Sequence, residues 1–256
     1  MNEIVIERSG SILRVMLNRP DKKNAMTSAM YAALAGAFKD AAGDDGIHAV
    51  LWHAAGDSFC AGNDLGDFLK NPPGPGESPQ AILATALLNL DKPLVAAVQG
   101  VAVGGGVTLL TFCDVVVAGE SARFRTPFVD LALVPEFGST WSLPARLGHL
   151  RAAELLMLGA PFDARRAEAL GLVSRVVPDE SLLAAATDAT KALAEKPAGA
   201  VRACKRLMKR MSREPIEQAF RAEAEEFATR VRSAEAQAVF AAFLEKHAPS
   251  STGRRA

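Results

Sequence analysis

The sequence predicts an α/β fold followed by a helical C-terminal region. Two compact apolar runs, AVLWHAAG and LVAAVQG, each end in Gly, as buried strands do where they reach a loop. Strand and helix patterns alternate up to about residue 181, after which the pattern is helical almost to the end. We therefore expect a mixed core over residues 1–197 and a separate helical region, suited to oligomerisation, over residues 198–256.

Local patterns define the elements of the first half. The stretch EIVIERSGSILRVMLNRP alternates apolar residues around a central Ser-Gly pair, which predicts two strands in a hairpin. The stretch TSAMYAALAGAFKDAA places Met30, Leu34 and Phe38 at helical spacing behind a Thr-Ser cap. The segment NPPGPGESPQ, residues 71–80, is dense in Pro and Gly and predicts a surface loop.

The second half is predicted in the same way. VTLLTFCD indicates a buried helix, VVVAGESARFRTPF two strands, STWSLPARLG and RAAELLMLG short helices, and ARRAEALGLVSRVVP a helix and a strand. The helical region should break at Pro197 and at Pro215. Its last stretch, residues 221–248, is typical either of an ordinary surface helix or of a helix packed on another subunit. The candidate buried positions in this region are Phe220, Phe227 and Phe243.

Composition excludes several classes of function. Lys+Arg and Asp+Glu number 29 each, so no overall charge attracts nucleic acid or an anionic membrane. Three cysteines without CxxC spacing argue against a disulfide framework or a zinc site and favour a reducing compartment. The first ten residues carry acids and no long apolar run, so we expect no signal peptide or membrane anchor and a cytoplasmic location.

Two turns of small residues stand out, FCAGNDL at residues 59–65 and GVAVGGGVTLL at residues 100–110. The second lacks the GxGxxG register and is not followed by Lys-Ser or Lys-Thr, which argues against nucleotide binding. Three glycines could also serve only to let a helix pack closely on a strand. However, two turns can each aim a backbone N–H at one point and so hold a negatively charged oxygen. We favour this second interpretation, with a helix that begins at Val107 adding its dipole.

Five motifs carry a resemblance to a known family. LNRPDKKNAM, FCAGNDL, GVAVGGGVTLL, CDVVVAGESARF and ALGLVSRVVP, in this order and spacing, resemble the crotonase superfamily (enoyl-CoA hydratase/isomerase) from Ile4 to about Pro178. The resemblance implies a ClpP-like spiral of ββα units, with C-terminal helices that build a homotrimer or hexamer. It also implies an acyl-CoA thioester as substrate, with no metal or redox cofactor. The backbone N–H groups of Asn63 and Gly105 would then polarise the thioester carbonyl.

The acids of the chain depart from the hydratase pattern. Hydratases of this family carry two glutamates at positions that here read Thr108 and Phe128, so efficient addition of water is not expected. Instead, LALVPEFGSTW places Glu136 in a Pro-Glu-Phe-Gly turn, which resembles the peroxisomal-type Δ3,Δ2-enoyl-CoA isomerase branch with its single proton-shuttling glutamate. The alternative is that Glu136 is an ordinary first-turn helix residue.

The resemblance therefore implies an enzyme that shifts the double bond of a 3-enoyl-CoA to give 2-enoyl-CoA, in fatty-acid β-oxidation or related acyl-CoA metabolism. Removal of the C2 proton would leave a dienolate whose oxygen becomes negative beside the two N–H groups. Three alternatives stay open: an enoyl-CoA hydratase, a non-catalytic acyl-CoA-binding subunit and, more remotely, a thioesterase.

The resemblance also implies contacts to coenzyme A. The expected residues are Lys22, Lys23, Ala61, Asp64 and Leu65. The two lysines could bind phosphate or be ordinary solvated charges. The resemblance favours a role for Asp64 in shaping its turn over a role in moving a proton. Cys60 lacks a neighbouring base and is expected to pack.

Overall fold

The computed structural model describes residues 2–70 and 78–247, and this part contains two β-sheets. The strands are β1 (Ile4–Ser9), β2 (Ile12–Leu17), β3 (Ala49–Ala54), β4 (Leu94–Val98), β5 (Val101–Val103), β6 (Val115–Gly119), β7 (Arg123–Arg125), β8 (Phe162–Asp163) and β9 (Arg175–Val177). The larger sheet has the order β1-β2-β3-β4-β6-β9 and is parallel except for the β1–β2 hairpin. The smaller sheet has the order β5-β7-β8.

Helices cover the sheets and form the C-terminal region. They are α1 (Ser28–Gly43), α2 (Leu65–Lys70), α3 (Pro79–Asn89), α4 (Gly105–Thr108), α5 (Ser139–Leu147), α6 (His149–Ala153), α7 (Ala164–Ala169), α8 (Leu182–Ala194), α9 (Ala198–Lys209), α10 (Arg213–Arg230) and α11 (Ala234–His247). The predicted α/β class with C-terminal helices is confirmed. Within the described residues, no helix combines the length and the apolar character needed to cross a bilayer.

The region after the first small-residue turn differs from the prediction. Helices α2 and α3 were not predicted, and α3 shortens the loop expected over residues 71–80. Ser78 caps α3 by accepting a hydrogen bond from the N–H of Ala81 at 3.1 Å, and Pro79 occupies the first turn, where its missing N–H is harmless. Residues 71–77 of the predicted loop lie outside the described residues.

Three predicted helix boundaries are also wrong. Helix α4 begins at Gly105 rather than at Val107. The break expected at Pro215 lies instead at residues 210–212, between α9 and α10, because Pro215 is accepted in the first turn of α10, where no intrahelical N–H bond is lost. The last predicted helix is two helices, since the hydroxyl of Ser233 accepts a hydrogen bond from the N–H of Ala236 and caps α11.

Aromatic packing joins the elements. In the main core, Trp52 of β3 packs edge-on against Phe38 of α1, with ring centroids 5.7 Å apart. A second cluster places Phe68 of α2 between Phe227 of α10 and Phe240 of α11, at 5.8 and 6.0 Å. The C-terminal helices thus pack on elements of their own chain, and α10 lies against α5. The side chain of the candidate residue Phe243 is outside the described part of α11.

Candidate active site

The first small-residue turn presents a backbone donor, the N–H of Asn63, to the site. Gly62 has φ +91°, a conformation that favours glycine. Its carbonyl accepts from the N–H of Met26 at 2.8 Å, and the N–H of Asp64 donates to the carbonyl of Met26 at 2.9 Å. These bonds fix the residues on either side of Asn63. The N–H of Asn63 itself has no acceptor among the described residues.

The second turn presents another donor. Gly104 has φ +54° and donates its N–H to the carbonyl of Arg125 at 2.9 Å. Gly105 is the first residue of α4, so its N–H has no intrahelical acceptor, and no other described residue supplies one. Among residues 2–70 and 78–247, the N–H groups of Gly105 and Asn63 therefore have no acceptor.

Backbone bonds hold the two turns side by side. Cys60 donates its N–H to Val101 at 3.0 Å, and Val103 donates its N–H to the carbonyl of Cys60 at 2.9 Å. A Cβ on Gly106 would lie 2.7 Å from the carbonyl oxygen of Cys60, so a side chain there would push the turns apart. The glycine run is thus needed for the close approach of the two turns.

The carboxyl of Glu136 reaches the same place. A Cβ built on Gly105 would lie 2.8 Å from Oε1 of Glu136 and 3.3 Å from the hydroxyl oxygen of Tyr31. The hydroxyl of Tyr31 donates to Oδ1 of Asn63 at 2.8 Å. Oε1 of Glu136 is buried and has no hydrogen-bond partner among the described residues. The structure therefore brings together the three predicted residues Asn63, Gly105 and Glu136.

A left-handed turn aims Glu136. Phe137 has φ +62° and Gly138 has φ +69°, and α5 begins only at Ser139. Glu136 therefore precedes the helix, and the alternative of a first-turn helix residue is wrong. A left-handed phenylalanine costs about 1–2 kcal/mol. Packing offsets this strain, because the ring of Phe137 stacks on Tyr31 with centroids 6.0 Å apart.

Burial gives Glu136 the properties of a base. Burial, and next the negative charge of Glu223, raise the pKa of Glu136 to about 8, while a hydrogen bond from the Asn63 side chain acts in the opposite direction. A carboxylate with this pKa is a stronger base than an ordinary glutamate. Burial and the charge of Glu136 also raise the pKa of Tyr31, so its hydroxyl keeps its proton and acts as a donor.

Sequence reasoning missed Tyr31 and Glu223. The carboxylate of Glu223 accepts hydrogen bonds from Gly138 N–H at 2.6 Å and from the N–H and hydroxyl of Thr140 at 2.8 and 2.6 Å. The sequence contained one signal that Glu223 is buried. It lies three residues after Phe220 and four before Phe227, which places it on the apolar face of its helix. Tyr31 is the only tyrosine of the chain.

The positions of the two hydratase glutamates hold no acid. Thr108 is buried, and its hydroxyl donates within α4 to the carbonyl of Gly104 at 3.5 Å. Phe128 is buried, with its ring edge 3.8 Å from a Cβ built on Gly104. Neither side chain can exchange a proton near neutral pH. Glu136, by contrast, places Oε1 of its carboxyl 2.8 Å from a Cβ built on Gly105.

The residues predicted to bind coenzyme A border the first turn. Lys22 and Lys23 are exposed, and the carbonyl of Lys23 accepts the N–H of Ala61 at 3.0 Å. The N–H of Ala61 is therefore occupied within the chain, which leaves its carbonyl for a ligand. Leu65 begins α2 and packs against the cluster around Phe68.

Asp64 is engaged in holding its turn. Its carboxylate forms an ion pair with Arg19 at 2.7 Å and accepts the N–H of Asp67 at 2.9 Å, at the start of α2. Burial alone would raise the pKa of Asp64, but these hydrogen bonds lower it overall. A ligand contact by Asp64 stays a prediction. Burial raises the pKa of Cys60 to about 12, so this residue is a neutral thiol.

Known proteins resemble this chain along most of its length. Residues 7–254 match the family model described as enoyl-CoA hydratase/isomerase. The 1,2-epoxyphenylacetyl-CoA isomerase of Escherichia coli is 35% identical over 95% of both chains. The rat enoyl-CoA delta isomerase 2 is 37% identical over 83% of this chain, which spans 56% of that relative.

Solved structures share the fold. Pseudomonas aeruginosa OdaA superposes with a TM-score of 0.92 at 43% identity, covering 95% of this chain and 99% of its own. Other relatives of similar coverage are named as hydratases. The predicted crotonase fold is therefore confirmed, and the chain belongs to the enoyl-CoA hydratase/isomerase family.

Proposed function

We propose that the protein is a Δ3,Δ2-enoyl-CoA isomerase in which Glu136 is the acid/base. The observation that carries this proposal is the unpartnered, buried Oε1 of Glu136 beside Gly105. An acyl-CoA thioester carbonyl would accept from the N–H groups of Asn63 and Gly105, which form the oxyanion hole. No metal or redox cofactor takes part, and Lys22 and Lys23 bind the nucleotide end of coenzyme A.

The reaction needs one carboxylate. Glu136 removes a proton from C2 of the 3-enoyl thioester, and the electron pair delocalises into a dienolate whose oxygen is held by the two N–H groups. The same carboxyl then returns the proton to C4, which gives the 2-enoyl thioester. A hydratase would also need a group to hold and activate water, and Thr108 and Phe128 cannot supply it. The rat relative named enoyl-CoA delta isomerase 2 supports the same choice.

The direct test compares two reactions with one preparation. We expect turnover of a 3-enoyl-CoA to exceed hydration of the matching 2-enoyl-CoA. Faster hydration would overturn the proposal in favour of a hydratase. Binding of acyl-CoA measured by calorimetry, without turnover of either thioester, would instead indicate a non-catalytic acyl-CoA-binding subunit.

A variant pair tests the role of Glu136. Glu136→Gln should keep acyl-CoA binding and lose isomerisation by a factor on the order of 10²–10⁴, because an amide cannot accept the C2 proton. Asp64→Asn is the control, and it should cost much less activity, since Asp64 is paired with Arg19. If Asp64→Asn abolished turnover in a folded protein while Glu136→Gln kept it, Asp64 would be the base.

An acyl group that carries a ring is a second candidate for the substrate. The rings of Phe137, Phe220 and Phe227 lie beside Glu136, and aromatic side chains pack well against another ring. The Escherichia coli relative named above as an isomerase carries 1,2-epoxyphenylacetyl-CoA in its name, a thioester with a ring in its acyl group. A screen of straight-chain 3-enoyl thioesters and ring-containing acetyl thioesters, ranked by kcat/KM, decides between the two classes.

A further inference from the structure

Glu223 connects the C-terminal region to the candidate base. Its carboxylate lies on α10, 85 positions from Gly138, and it is buried. Both of its oxygens are occupied: Oε2 accepts from Gly138 N–H at 2.6 Å, and Oε1 accepts from the N–H and hydroxyl of Thr140 at 2.8 and 2.6 Å. These donors are the first groups of α5, which has no cap from its own Gly138.

The segment that Glu223 holds is the one that aims Glu136. Gly138 is two residues beyond Glu136 and follows Phe137, whose left-handed conformation carries strain. Helix α10 packs directly on this turn, because a Cβ on Gly138 would lie 2.8 Å from Cγ2 of Ile216. Glu136 and Glu223 line the same cavity. A movement of the Glu223 carboxylate would therefore pass to Glu136 through two residues of backbone.

We infer that Glu223 is a positioning residue for the acid/base Glu136: it fixes the Phe137–Gly138 turn through three hydrogen bonds and adds a second acidic group to the cavity that Glu136 faces. The kinetic effects that this inference predicts rest on the proposed function. We assign Glu223 a positioning role rather than a contact with the thioester, because its oxygens already accept hydrogen bonds from Gly138 and Thr140.

Several ionisable groups surround Glu136. Tyr31 faces it from α1, Cys60 from the first turn and Glu223 from α10. Burial raises the pKa of Tyr31 and that of Cys60, so both are neutral near pH 7. Burial raises the pKa of Glu223 to about 7, against the hydrogen bonds from Thr140 and Gly138. Glu223 is therefore the neighbour whose charge acts on Glu136 above neutral pH.

Two substitutions separate the charge of Glu223 from its geometry. Glu223→Gln removes the charge and loses one of the two acceptor positions, so kcat for a 3-enoyl-CoA should fall about tenfold and the acidic limb of its pH profile should move to lower pH. Glu223→Asp keeps the charge but withdraws the carboxylate from Gly138 and Thr140. In this variant kcat should fall, while the acidic limb of the pH profile should stay at the pH of the parent. KM should change less than about twofold in both. Glu225→Gln, at an exposed position of the same helix, is the matched control and should behave as the parent.

A carbon-13 titration of labelled glutamate carboxyls provides a readout that does not need turnover. The Glu136 signal is identified by its loss in Glu136→Gln, and its pKa should be lower in Glu223→Gln than in the parent or Glu225→Gln. An unchanged Glu136 pKa together with parent kcat and pH profile would overturn the inference and leave the proposed function standing. If the parent protein lacks isomerase activity but the pKa of Glu136 is still lower in Glu223→Gln than in the parent, the proposed function is overturned and the inference is supported. If Glu223→Gln does not fold, unchanged kcat in Glu223→Asp would overturn the inference.

Discussion

The hydroxyl of Tyr31 donates a hydrogen bond of 2.8 Å to Oδ1 of Asn63, 32 positions along the chain. The same Asn63 side chain acts to lower the pKa of Glu136, against the effect of burial. Because the amide oxygen is occupied by Tyr31, the amide NH₂ is the group available to Glu136. Helix α1 thereby orients the side chain of the residue whose backbone N–H is free at the site.

Tyr31→Phe should weaken both the fold and the site. It leaves Oδ1 of Asn63 without its donor, which should lower the free energy of unfolding by about 1–2 kcal/mol in a denaturant titration. The amide can then turn away from Glu136, so kcat for a 3-enoyl-CoA should fall about tenfold. A folded Tyr31→Phe protein with parent kcat would show that the amide orientation does not affect catalysis.

Substitutions of Gly105 should distinguish the role of its backbone N–H from the role of its missing side chain. Gly105→Pro removes the N–H, so activity should fall by a factor on the order of 10²–10³. Gly105→Ala keeps the N–H but places a Cβ 2.8 Å from Oε1 of Glu136, so it should displace the carboxyl and cost about tenfold. Parent turnover in a folded Gly105→Pro protein would mean that the thioester carbonyl binds elsewhere.

The stability of the protein should depend on pH through Glu136. Its pKa of about 8 lies above the ordinary value of 4.5, so the folded state holds this proton more tightly than the unfolded state. The stabilisation that Glu136 contributes to the folded state is therefore fully present below about pH 4.5 and is lost as the pH rises through 8.

The side chain of Glu136→Gln cannot ionise, so this variant does not lose stability through position 136 as the pH rises. Thermal unfolding should show the variant more stable than the parent by about 1–3 kcal/mol at pH 8, and the difference should shrink toward pH 5. A constant difference between these two pH values would mean that Glu136 does not change its protonation on folding. Asp64→Asn is a useful contrast, since the lowered pKa of Asp64 gives a contribution of opposite sign, present above the unfolded pKa and lost on acidification.

The protein should form trimers or hexamers. Large apolar side chains of α9 and its end are exposed on the single chain, with Leu207 at 68%, Met208 at 72% and Met211 at 82% of their full surface. Such a patch on a folded chain is typical of an interface. Light scattering at micromolar concentration should therefore give the mass of three or six chains, and Met208→Glu should reduce it. A stable monomer of the parent protein would refute the prediction.

Local features of the sequence predicted much of the fold. The β1–β2 hairpin, α1 and the strands β3 and β4 were predicted because each depends on its own alternation, spacing or cap. Helix α3 was missed because its apolar residues surround it on all sides and show no single face. The break near Pro215 was predicted a few residues too late, because a proline that breaks a helix interior is accepted in a first turn.

The sequence by itself determined which groups the site can contain. Two small-residue turns and a Pro-Glu turn are short-range motifs that resemble those of a known family, so that resemblance could name Asn63, Gly105 and Glu136 before any contact was known. Only the tertiary structure decided their chemistry. The pKa of Glu136 depends on burial and on Glu223, and the orientation of Asn63 depends on Tyr31. These partners are 87 and 32 positions away along the chain (223 − 136 and 63 − 31), and electrostatic and hydrogen-bond energies depend on distance in space, which local sequence patterns do not specify.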